Sequence, residues 1–91
     1  MYCVYLIQCG DLPYYKIGVS CDMGDRFKNL QSCNPHELTV LCTCGFDSSK
    51  AAFAAEADCH RKLFKERIRG EWFQLTDVQV RQLKHDMVVA E

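Results

Sequence analysis

The chain has 91 residues, 48% of them apolar and 11% aromatic, which is enough for one domain with a modest core and no need of metal or disulfide staples. A formal net charge of −1 argues against a protein that coats nucleic acid through bulk positive charge. No leader-like segment and no uncharged apolar run of about 20 residues is present, so the chain reads as cytoplasmic with no membrane partner.

The first elements form a hairpin. Val4 to Gln8 has the β-branched and aromatic content of a strand, Gly10-Asp11-Leu12-Pro13 supplies turn chemistry, and Tyr14 to Val19 makes a second strand. Asp22 then caps a short helix with Asp25 in its first turn and Phe27 and Leu30 on one face, until Asn34-Pro35 stops it. Leu38 to Cys44 is a third strand, apolar enough to be covered on both faces for part of its length.

The longest helical pattern starts at Ser48 or Ser49 and runs through KAAFAAEADCHRKLFKERI. Phe53, Glu56, Ala57, His60, Leu63 and Phe64 recur on one stripe, apolar except for Glu56 and His60 one turn apart. An acid on such a stripe needs either a partner, for which Arg61 and His60 are available, or a function. Gly70 ends the helix, Glu71 to Leu75 is a short extended segment, and Thr76 with Gln79 forms a capping box that opens a last helix to about Met87. The expected architecture is α+β: a three-stranded, mainly antiparallel sheet flanked by helices, in the order ββαβα, followed by the extended segment and the C-terminal helix. It forms one domain over residues 1–91, with a core at 2–75 and the helix at 76–88.

The cations are unevenly spread. Arg61, Lys62, Lys65, Arg67 and Arg69 fall within nine residues, against the single acid Glu66. Such a cluster either neutralises a few phosphates or forms a solvated helix face. Seven cysteines, an odd number without an export signal, read as reduced thiols. Cys42-Thr43-Cys44 with Cys59-His60 lacks the two-to-four-residue gap usual in structural zinc motifs, so small buried hydrophobes are the better reading.

In order along the chain stand VYLI at Val4 to Ile7, YKIG at Tyr15 to Gly18, Arg26, Glu56, His60, and GEWF at Gly70 to Phe73. This series resembles the GIY-YIG nuclease superfamily, and within it the small phage-type and Mug113-like branch. The resemblance implies hydrolysis of a DNA phosphodiester with one Mg²⁺ or Mn²⁺ ion on the helix glutamate, Glu56. Arg26 would brace the scissile phosphate, and Tyr5 would orient or deprotonate the attacking water. Gly18, Gly70, Glu71, Trp72 and Phe73 would be structural parts of the motif, the two aromatics mostly core.

Three departures stand out. The place of the second tyrosine, two before Gly18, holds Lys16, which by strand alternation faces the site while Tyr15 points away. Leu30 stands one turn after Arg26, where many members carry a possible base. An asparagine that often follows the metal glutamate has no match, and Glu71 lies nearest to its place. His60 could serve as a proton shuttle or phosphate contact, or simply hydrogen-bond to structure. Two functions therefore remain: a metal-dependent endonuclease, or a weakly active module of the same fold that binds nucleic acid or inhibits a protein. Any sequence preference would come from a homodimer, a larger protein partner or DNA shape.

Overall fold

The computed structural model describes residues 1–90. The initial hairpin is β1 (Tyr2–Cys9) and β2 (Tyr14–Ser20), and it is followed by α1 (Met23–Ser32) and β3 (Leu38–Phe46). Next come α2 (Ser49–Lys62), a 3₁₀ turn (Phe64–Glu66), β4 (Arg67–Arg69), β5 (Trp72–Gln74) and α3 (Asp77–Ala90). Gly10 closes the first hairpin at φ 57°, a left-handed conformation that glycine adopts without strain.

Each helix start carries the cap its sequence suggests. Asp22 Oδ1 accepts from the Asp25 amide at 3.0 Å and Ser48 Oγ from the Ala51 amide at 3.2 Å. Thr76 and Gln79 complete a reciprocal box: Gln79 Oε1 accepts from the Thr76 amide at 2.9 Å, and Thr76 Oγ1 from the Gln79 amide at 3.2 Å. No helix among the described residues is long and apolar enough to cross a membrane.

The fold is α+β with a mostly antiparallel sheet, as the sequence leads one to expect, but the sheet has five strands in the order β3-β1-β2-β5-β4. Of the two additional strands, β4 comes from the end of the expected helix, while β5 lies within the expected extended segment Glu71 to Leu75 and joins the sheet. The helical pattern stops at Lys62, six residues short of Ile68, because Arg67 and Arg69 instead pair with Phe73 and Trp72. Gly70, at φ 54°, turns this small hairpin and does not cap a helix. Pairing with β5, itself held against β2, satisfies the backbone of 67–69 through a short hairpin ladder, which helical periodicity cannot reveal.

Two apolar clusters cover opposite faces of the sheet. On one, Val4, Leu6, Tyr15, Ile17 and Phe73 meet Ala52 of α2 and Val80, Leu83 and Met87 of α3. On the other, Tyr5, Ile7, Cys9 and Leu38 meet Met23, Phe27 and Leu30 of α1, with Trp72 at the margin. The buried stripe of α2 is Ala52, Ala55, Cys59 and Leu63, rotated from the expected one. Small side chains let the helix approach the sheet closely, which leaves Phe53 55% and Phe64 67% exposed. Glu56 and His60 follow Ala55 and Cys59 by one position and so border the packed stripe.

Candidate active site

The centre of the site is set by strand register. Tyr5 on β1 stands opposite Gly18 on β2, with Ile7 opposite Lys16, so Tyr5, Lys16 and Gly18 share the face that α1 covers. The Tyr5 ring lies directly over Gly18. A Cβ there would overlap the Tyr5 hydroxyl and stand 2.6 Å from Cζ and 2.9 Å from Glu71 Oε1, so only glycine fits. Tyr5 is fully buried, yet among the described residues its hydroxyl has no hydrogen-bond partner. Such an orphaned group costs about 1–3 kcal/mol of folding free energy.

Burial pushes the Tyr5 phenol above its ordinary pKa, and the nearby charges of Glu71 and, more weakly, Glu56 act in the same direction. The Arg26 guanidinium opposes them, close enough to favour the phenolate but outside hydrogen-bond geometry. Tyr5 is therefore a neutral phenol at pH 7, with a proton to donate and lone pairs to offer.

Around it, acids and cations converge from separate elements. Lys16 Nζ lies 3.1 Å from Glu71 Oε1 and 5.6 Å from the centre of the Trp72 ring. Burial and then the like charge of Glu71 raise the Glu56 pKa, while His60 and Lys16 lower it. Glu56 thus feels Glu71 as a neighbouring like charge. Ile17 donates its amide to the Glu71 carbonyl at 3.1 Å, which fixes that residue to β2.

His60 has a structural partner. A carbonyl only accepts, so Nε2 donates to the Ile17 oxygen at 2.9 Å, while the ring stands edge-on to Phe73 with centroids 4.9 Å apart. Arg26 is exposed on α1, and Leu30 packs on the α1 side of the sheet.

The basic cluster does not act as one surface. Arg61 and Lys62 both pair with Asp58, the latter at 3.1 Å, whereas Arg67 and Arg69 are exposed on the edge strand β4 and make no ion pair among the described residues. Lys65 lies between them in the 3₁₀ turn. None of the seven cysteines forms a disulfide among the described residues.

Tyr5, Lys16, Gly18, Arg26 and Glu56 are thus assembled as one group, with His60 bonded to its rim. Glu71 is the residue whose importance the sequence understates. Read as part of a structural GEWF motif, it reaches Lys16, Glu56 and Tyr5. The available signal was an acid between a turn glycine and a buried aromatic, where a carboxylate has no packing purpose.

Among the described residues, no group of three or more His, Cys, Asp or Glu side chains is arranged to hold a metal ion. The Glu56–Glu71 pair nevertheless suits a hard divalent cation in its donor chemistry. Two carboxylates whose mutual repulsion raises a pKa gain from such an ion, and Mg²⁺ keeps several of its waters. The sequence profile of the T5orf172 domain matches residues 2–88. No curated protein and no solved structure matches the chain.

Proposed function

The chain belongs to the T5orf172 domain family, a phage-type, nuclease-like module related to GIY-YIG folds, and on that premise we propose that it is a divalent-metal-dependent DNA endonuclease of GIY-YIG type. The observation that carries this reading is the buried Tyr5 hydroxyl, without a hydrogen-bond partner among the described residues, lying over Gly18 between Arg26 and the two acids Glu56 and Glu71. An unsatisfied polar atom is costly to keep in a small core, and a water or phosphate oxygen would complete it. Lys16 in place of a second tyrosine supports the narrower placement in the small YKIG, Mug113-like branch.

In this reading Glu56, with Glu71, holds one Mg²⁺ or Mn²⁺. When bound, that ion polarises a phosphate oxygen and offsets developing negative charge. Tyr5, neutral at pH 7, orients the attacking water by hydrogen bonding and need not deprotonate it. Arg26 clamps the scissile phosphate through its planar fork. Lys16, paired with Glu71 at the edge of the site, would lend its charge to the transition state. His60 is a positioning residue that ties α2 to β2 through the Ile17 carbonyl and so sets where Glu56 stands. The protein would act in the cytoplasm, any sequence preference coming from a second copy, a larger partner or DNA shape.

The experiment is cleavage of supercoiled plasmid with Mg²⁺ or Mn²⁺. Wild type should nick or linearise it, and Glu56→Ala or Tyr5→Phe should lower the rate about 100-fold or more, as loss of a positioned catalytic group does. Plasmid left intact by wild type with both metals across a range of salt would overturn the reading. Leu30, packed where a base could stand, favours the second reading of a binding or inhibitory module; retarded DNA migration without cleavage would select it.

A further inference from the structure

On the α1 side of the sheet, helix α1 packs over Tyr5, Ile7, Cys9 and Leu38, and no helix packs over the β2–β5–β4 half beyond Trp72. There Tyr14, Trp72, Gln74, Ile68, Arg69 and Asn34 line an open groove of about 390 Å³, within the size range of small-ligand sites. Tyr14 and Gln74 are partners across β2 and β5, as are Lys16 and Trp72. The groove therefore adjoins the candidate active site at Trp72, whose ring centre lies 5.6 Å from Lys16 Nζ and whose chain neighbour is Glu71.

We propose that this groove is a subsite for an unpaired base of single-stranded DNA, next to the phosphate held at the active site. Three features select that occupant. Tyr14, 38% exposed, and the half-buried Trp72 offer π-faces on which any base can stack. Arg69 is an exposed cation without an ion pair among the described residues, suited to the backbone phosphate. The Asn34 carboxamide oxygen accepts from the His36 amide at 2.8 Å, which orients the side chain and leaves its NH₂ as a donor for a base edge. A duplex keeps its bases stacked on each other, whereas a single strand, flap or gap presents one free. The proposal rests on the nuclease reading for the neighbouring phosphate, but the groove's own chemistry does not need cleavage.

Trp72 is the chain's single tryptophan, so its fluorescence reports on the groove directly. Metal-free wild-type protein should be titrated with an eight-nucleotide oligo-dT, with an abasic backbone of the same length and with a duplex of the same length. The oligo-dT should quench Trp72 and bind about tenfold or more tighter than the abasic chain. Tyr14→Ala should weaken oligo-dT about five- to tenfold with no effect on the abasic chain, as expected for loss of a stacking face. Arg69→Ala should weaken both and lower the salt dependence by about one unit of log–log slope. Absence of quenching, equal affinity for abasic and dT chains, or preference for the duplex would each overturn the proposal. If plasmid stays intact while oligo-dT still quenches Trp72, the nuclease reading fails and the subsite stands.

Discussion

At the scale of single residues, Tyr5 sets folding against function. Its hydroxyl is buried without a hydrogen-bond partner among the described residues, above Gly18, where no side chain would fit. Tyr5→Phe removes that orphan without changing the ring, so it should raise stability in urea by about 1 kcal/mol while losing cleavage. A destabilised Phe variant would mean that the hydroxyl is satisfied in solution. Glu56 makes a second test through pH. Its raised pKa means that the folded state binds the proton more tightly than the unfolded chain does, so stability is lost as pH rises from the ordinary carboxylate value through the raised one. With metal chelated, Glu56→Gln should therefore be the more stable protein at neutral pH, and the difference should vanish below about pH 4. Added Mg²⁺ should stabilise the wild type and not the variant; equal stability of the two at every pH would remove the basis for a strained carboxyl pair. These residue-scale features were partly legible in the sequence. The motif spacing gave Tyr5, Lys16 and Glu56, but the partner of Glu56 was hidden because Glu71 lies 15 positions away on another element.

At the scale of elements, the segment from Arg61 to Arg69 divides in two. Alanine-rich periodicity foretells a helix to Ile68, and local propensity alone gives no reason to stop it. The stop comes from β5, which offers Arg67 and Arg69 a ladder, and it separates cations that a continuous helix would have kept together. The consequence is measurable in DNA binding. Replacing Arg67 and Arg69 together with alanine should weaken binding and reduce the salt slope by about two units, since each cation would otherwise meet a phosphate. Asp58→Ala should strengthen binding, because it frees Arg61 and Lys62 from their shared carboxylate. If Asp58→Ala leaves affinity unchanged, α2 lies off the path of the nucleic acid and β4 carries the contact by itself.

At the scale of the whole molecule, α3 belongs to the core. Val80, Leu83 and Met87 are buried against the sheet in the same cluster as Val4, Leu6 and Phe73. Leu83→Ala should cost about 2–4 kcal/mol in urea unfolding, the usual loss for a buried leucine, and a chain ending at residue 76 should lack a cooperative transition. A truncated chain that unfolds cooperatively would restrict the core to the first 75 residues. By itself the sequence determined the α+β class, the first hairpin and the caps at Asp22 and Thr76, since strand alternation and capping chemistry are local, and its family resemblance pointed to Tyr5, Lys16, Arg26 and Glu56 as site candidates. Only the tertiary structure decided the fourth strand, the pairing of the extended segment with β2, the face of α2 that packs, the place of Glu71 and the groove beside Trp72. Apart from the short β4–β5 hairpin, each of these depends on a contact between distant segments, where backbone pairing and close helix approach outweigh the preferences of neighbouring residues.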